Sequence, residues 1–183
     1  MASGAGDAAA DADRIGGVAT GDAQAFRDLY ARYGADVARF CAARLRDPGT
    51  AADAAQEVWI AVWRGAAGYA HRGSVAGWIF GIAARRVADA RRRGQRQAQP
   101  ESAAETQADP RDPIAASEAR LDVWGALDAL PGVQQDTVLM AYVFGLSCAE
   151  IAEATDVPEG TVKSRLFHAR RALAQTLTGG RRA

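Results

Sequence analysis

The chain is poor in cysteine: only Cys41 and Cys148 occur in 183 residues. They lie far apart, each in an apolar helical pattern. That excludes a disulfide-stapled scaffold and fits a reducing compartment. Histidine is equally scarce. His71 and His168, with the two cysteines, show none of the spacings of a metal site, so no metal and no cofactor are expected. No phosphate-cradling glycine loop occurs, which leaves an enzyme the weakest functional class. No apolar run approaches the roughly 18 residues of a membrane span. The Ala-, Gly- and Asp-rich start lacks the basic head and apolar core of a signal peptide. A cytoplasmic protein without membrane insertion is therefore expected. An excess of either charge is missing too. Lys+Arg and Asp+Glu both number 22, so bulk charge names no partner and only its distribution can.

Apolar residues make up 49% of the chain, enough for real cores. Their spacing is helical throughout, and no period-2 strand is evident. Residues 1–20 are small and acidic and read as a disordered tail. A helical period runs from Asp22 through Phe26, Leu29, Tyr30, Tyr33, Val37, Phe40 and Cys41, until Asp47-Pro48-Gly49 breaks it. A second helix is expected from about Ala51 to Arg64. A third starts near Val75 and carries Trp78, Ile79, Ile82, Ala83 and Val87. Residues 97–114 contain Pro100, Pro110 and Pro113 and almost no large apolar side chain, the composition of a flexible linker. The fold class expected is all-α: two small helical domains, 21–96 and 115–178, joined by that linker, with a short tail at 179–183.

The second domain ends in a helix-turn-helix pattern. Ser147-Cys148-Ala149-Glu150 is a capping box, in which the serine oxygen accepts from the third amide while the glutamate reaches back. A short helix follows, then a turn at Thr155 to Glu159 with Val157 as its apolar plug. Pro158 suits a first helical position, and the last helix runs to about Leu177. Short helix, turn and longer basic helix match the layout in which the second helix enters the DNA major groove. At about 100° per residue, Val162, Leu166, Ala169 and Leu173 share one face. Ser164, Phe167, His168 and Arg171 share the opposite face, with Lys163 at its edge. Such a row can address base edges, phosphates and a thymine methyl. A solvated helix with one stray exposed Phe is the plainer alternative.

Three features of the first domain stand out. Arg85, Arg86, Arg91, Arg92, Arg93 and Arg96 crowd one helix end against Asp89 alone, more cation than capping needs and suited to phosphates. The preceding loop offers Tyr69, His71 and Arg72, which could hold an unstacked base or be an ordinary exposed loop. Asp53, Gln56 and Glu57 line one polar side of the second helix. That side is either a solvated face or a protein-docking surface; a catalytic carboxylate pair is a weak reading, because no nucleophile or pocket accompanies it.

Together these strings resemble the extracytoplasmic-function (ECF) group of bacterial sigma factors. GDAQAFRDLY, DAAQEVWIAVW and GWIFGIAARRVADARRR are similar to sigma region 2. ALDALPGVQQDTVLMAYVFGLSCAEIAEATDVPEGTVKSRLFHARRAL, from Ala126 to Leu173, is similar to region 4. PEGTVKSRL together with an upstream D-x-x-QEVW and a Pro-rich linker is far more specific than a helix-turn-helix alone. The resemblance implies a non-catalytic factor that binds core RNA polymerase and directs promoter-specific initiation. Asp53, Gln56 and Glu57 would dock on the β′ clamp, and region 4 on the β flap. Tyr69, His71, Arg72, Arg85, Arg86, Arg92 and Arg93 would serve the −10 element. Thr161, Lys163, Ser164, Phe167, His168 and Arg171 would serve the −35 element. An anti-sigma factor is an implied partner, and a nucleoid location is implied for the active protein. A stand-alone LuxR-type regulator is the second reading. The chain departs from the family pattern at Arg85, where Asn is usual, at His168, where Arg is frequent, and at Gln135, where a basic residue is common.

Overall fold

Every element with regular structure is helical in the computed structural model, which describes residues 4–69, 73–97 and 125–179. The first helix, α1, spans Gly4–Ala19. A disordered tail was expected here, and the helix is a correction to that expectation. Its Ala-rich sequence favours helix, and Ile15 and Val18 are buried in the common core. Asp11 is buried as well, accepting from Arg14 and the Tyr33 hydroxyl and pairing with Arg32 at 3.2 Å. The pattern was masked by the small residues around these three anchors.

The helix α2 spans Ala23–Arg44 and is capped by the Asp22 carboxylate, which accepts from the amides of Gln24 and Ala25. The helix α3 spans Pro48–Gly65 and starts earlier than the pattern suggested. Asp47 caps it through Thr50, and Pro48 sits in the first turn, so the Asp-Pro-Gly that stops α2 also starts α3. A 3₁₀ turn at Ala66–Gly68 leads toward α4, Val75–Gln97. Val37, Phe40, Val58, Val62, Ile79, Phe80 and Val87 fill the core of this unit.

Beyond Gly125 the chain forms α5 (Gly132–Val138), α6 (Cys148–Thr155) and α7 (Glu159–Gly179). The end of α5 widens into a π turn over Leu139–Val143. The wider turn buries Leu139 and Met140 but leaves Tyr142 and Val143 exposed, which a uniform helical period would have turned inward. The capping box forms as read: Ser147 Oγ accepts from the Glu150 amide, and Glu150 accepts from the Ser147 amide at 2.7 Å. Asp156 ends α6 in the left-handed conformation (φ 53°). Val157 then packs on the core as the turn's plug. The linker expected at 97–114 lies outside the described residues, apart from Gln97 at the end of α4.

The two helical units meet face to face. The ring of Phe80 in α4 stacks on Phe144, and Phe40 touches both. Two small residues of α4 allow α6 to approach closely. A Cβ at Gly77 would sit 3.1 Å from the Glu150 carbonyl oxygen, and one at Gly81 would collide with the Ala154 backbone.

Candidate nucleic-acid interface

The helix α7 presents two unlike faces. Val162 and Ala169 are fully buried and Leu166 nearly so, with Leu173 packed at the core's edge. Lys163, Ser164, Phe167, His168 and Arg171 are all exposed on the far side. Phe167 is 60% exposed, with His168 edge-on to its ring at 5.5 Å. Thr161 is half-buried in the first turn, where its amide donates to the Pro158 carbonyl. Lys163 pairs with Glu159 one turn earlier at 2.8 Å, and that hydrogen bond and charge raise the lysine pKa. The helix thus offers a ring, an imidazole, a hydroxyl and two cations at one surface, the mixture that phosphate and base-edge contacts require.

The second cationic surface is the C-terminal half of α4. Arg85, Arg92 and Arg93 are exposed and Arg86 half-buried. Arg92 is paired with Asp89, while Arg93 donates to Glu57 of α3 at 3.2 Å. Arg85 and Arg86 make no ion pair among the described residues. The loop before α4 is built differently from the expectation of an exposed aromatic platform. Tyr69 is buried; its hydroxyl donates to the Gly73 carbonyl at 3.0 Å and its ring leans on Trp78. Burial, followed by the nearby Glu153 charge, raises the Tyr69 pKa. Tyr69 is therefore a strut that shapes the loop. His71 and Arg72 lie outside the described residues.

On α3, Asp53 and Gln56 are exposed, whereas Glu57 is half-buried and engaged with Arg93. Gln56 borders a groove of about 710 Å³ lined by Phe26, Tyr30, Trp59, Ile60 and Trp63. Phe26 meets both tryptophans edge-on, and Tyr30, Ile60 and Trp63 are substantially exposed. The helical period of the sequence marked Phe26 and Tyr30 as apolar positions but did not foresee this groove. The available signal was that aromatics four apart on two neighbouring helices exceed what one core stripe can bury. Among the described residues, no group of His, Cys, Asp and Glu could hold a metal, and no helix is long and apolar enough to cross a membrane.

The Sigma-70 region 2 family matches residues 29–97, and the Sigma-70, region 4 family matches residues 120–173. The chain is 36% identical over 167 residues to an ECF RNA polymerase sigma factor, SigK, of Mycolicibacterium vanbaalenii, covering 87% of this chain and 85% of the relative. It is 32% identical over 167 residues to the ECF sigma factor SigM of Mycobacterium tuberculosis, covering 91% and 84%. Its fold is similar to that of CnrH in complex with the cytosolic domain of CnrY, with a TM-score of 0.71 at 21% identity over 93% of this chain and 98% of that one. It is also similar to RpoE in complex with the anti-sigma factor NepR from Bartonella quintana, with a TM-score of 0.67 at 21% identity over 84% and 96%.

Proposed function

This chain belongs to the ECF RNA polymerase sigma factors, and from that premise we propose which of its surfaces carries each part of promoter-specific initiation. The family supplies transcription-initiation factors with no catalytic activity of their own, so the surfaces are binding surfaces. Residues 21–96 act as region 2, 97–114 as the linker and 115–178 as region 4.

The row Lys163, Ser164, Phe167, His168 and Arg171 on α7, with Thr161 at its start, reads the −35 element. The observation that carries this reading is the exposure of that row directly opposite the buried Val162, Leu166 and Ala169. Arg85, Arg86, Arg92 and Arg93 hold the −10 DNA by its phosphates, in concert with His71 and Arg72, while Tyr69 positions their loop from beneath. Asp53, Gln56 and Glu57, with the aromatic groove beside Gln56, form the surface for the β′ clamp; region 4 meets the β flap. The protein works in the cytoplasm at the nucleoid. Two proteins of the same fold are solved as complexes, CnrH with the cytosolic domain of CnrY and RpoE with the anti-sigma factor NepR, and we assign an anti-sigma partner here on that analogy.

The deciding experiment is runoff transcription with core polymerase on genomic templates. A promoter-dependent transcript that requires the added chain is expected, and Ser164→Ala plus Phe167→Ala together should abolish it. Promoter binding of equal strength by the chain alone would instead favour a stand-alone regulator.

A further inference from the structure

The arginines that crowd the end of α4 do not all face one way. Arg91, which the −10 assignment leaves out, turns toward α5. A Cβ built on Gly132 would stand 3.1 Å from Arg44 Nη2 and 3.5 Å from Arg91 Nη1, so guanidiniums from α2 and α4 converge over one glycine. With Arg46, Asp128 and Gln135 they line a cleft of about 460 Å³. The rest of its wall is aliphatic, and no aromatic ring is among its lining residues.

Arg44 is the fixed part of this cleft. Its side chain is 4% exposed. Nε donates to Asp136 Oδ1 and Nη1 to Gln135 Oε1, while Nη2 donates to the Gly132 carbonyl at 3.3 Å. Gln135 passes its own amide to Asp128 at 3.1 Å. Arg46 and Arg91 are both exposed, and neither makes an ion pair or a side-chain hydrogen bond among the described residues. Asp47, beside Arg46 in sequence, is taken up by the Thr50 cap. The charge of Arg165 on α7 bears on Asp136 together with those of Arg44 and Arg91. The cleft and its floor thus gather four positive charges around the two carboxylates of Asp128 and Asp136. In a chain with no net charge, that local excess leaves two guanidinium forks unmatched.

We propose that the cleft is an anion site in which Arg46 and Arg91 grip a pyrophosphate unit, with Arg44 as the fixed charge behind it. A guanidinium fork binds phosphate oxygens bidentately, and two forks at one opening suit two linked phosphates better than one. The volume lies within the range of small-ligand sites. A DNA duplex is too wide to enter a cleft of this size, which favours a small anion. The aliphatic wall offers no platform on which a base could stack. The recognised part is therefore the phosphate chain itself, whether inorganic or carried by a nucleotide. The site uses none of the side chains assigned above to polymerase, −10 DNA or −35 DNA.

Isothermal titration calorimetry of the full chain, in low-salt buffer free of phosphate, tests the site without polymerase. Pyrophosphate should bind with a stoichiometry of about one and about tenfold more tightly than orthophosphate, the effect of a second charge-assisted contact. Arg46→Ala and Arg91→Ala alter exposed side chains, so the fold is preserved. Each should weaken pyrophosphate binding by about tenfold. Arg27→Ala, which removes an exposed arginine at the far end of α2, should leave it unchanged. ADP then separates the two sources of the ligand. Binding tighter than pyrophosphate supports a nucleotide, and equal or weaker binding supports the inorganic anion. The site is overturned if pyrophosphate gives no saturable heat, or if Arg27→Ala loses as much affinity as the cleft variants. Displacement of pyrophosphate by a DNA duplex that lacks promoter sequence also overturns it, because the cleft would then belong to the DNA surface.

Discussion

The Phe80 and Phe144 rings lie stacked at 4.5 Å, 27° from parallel, one from each helical unit. Phe80 is fully buried, whereas Phe144 is half-buried and packs on the core with its ring against Phe80 and Phe40. Phe144→Ala should therefore uncouple the units before it damages either. A loss of about 1–3 kcal/mol is expected, below the 3–5 of a fully enclosed Phe. Denaturant unfolding followed by two probes, one in each unit, should separate into two transitions. A single unshifted transition would mean that the stack contributes nothing to cohesion.

Phe167 is the opposite case: an aromatic whose removal should cost function and not stability. It is 60% exposed, and His168 is its one ring partner among the described residues. Phe167→Ala should leave thermal stability within about 0.5 kcal/mol, as exposed substitutions do, yet reduce promoter-dependent transcription. Loss of both together would show that the ring is structural.

Lys163 is held by Glu159 in the free chain. On DNA that pairing must give way to a phosphate. Lys163→Ala should weaken promoter binding by the polymerase complex evenly across sequences and reduce the salt slope by about one. Glu159→Gln should do the reverse, releasing the ammonium and tightening binding at low salt. An unchanged salt slope for Lys163→Ala would remove Lys163 from the interface.

The readable parts of this chain were those governed by local rules. The capping box at Ser147, the plug at Val157 and the two faces of α7 follow from spacing and hydrogen-bond chemistry within a few residues. The misread parts depend on partners remote in sequence. Helix α1 looks like an acidic coil until Asp11 is seen beside Tyr33 and Arg32. Tyr69 looks like an exposed ring until Trp78 folds over it. Gln135 looked like an unexplained departure from a family pattern, and its partner, Arg44, is 91 residues away. No periodicity can announce such a contact.

Acid should act on the capping box. Burial pushes the Glu150 carboxyl up, but hydrogen bonds from the Ser74 hydroxyl and from the Ser147 amide and side chain outweigh it, and the net shift is downward. A carboxylate with a depressed pKa contributes stability that is complete above its unfolded-state value and is lost as pH falls through the folded one. Wild type should therefore exceed Glu150→Gln by about 1 kcal/mol at neutral pH. The two melting curves should converge as pH drops below the ordinary glutamate range. A gap that stays constant down to that range would assign the difference to shape and not to charge.

The last prediction concerns whether α1 belongs to the folded unit. Asp11 is buried with three neighbours that depend on it for charge or hydrogen-bond balance, Arg14, Arg32 and Tyr33, while Ile15 and Val18 of the same helix pack into the core. Burial, then the hydrogen bond to Asp11, raises the Tyr33 phenol to about 12. The two guanidiniums are partly exposed and can turn to water when Asp11 is lost, but the Tyr33 hydroxyl is held where α1 meets α2. Asp11→Ala should therefore cost about 1–3 kcal/mol, the range for a buried group left unpartnered. It should also bring the Tyr33 titration back toward the ordinary phenol value, read by ultraviolet difference absorbance. Deleting residues 1–20 should cost more, because Ile15 and Val18 leave the core with it; each buried aliphatic of this size is worth about 1.5–3 kcal/mol. If the truncated chain melted with the full-length one, α1 would be an appendage, and the disordered-tail expectation would stand.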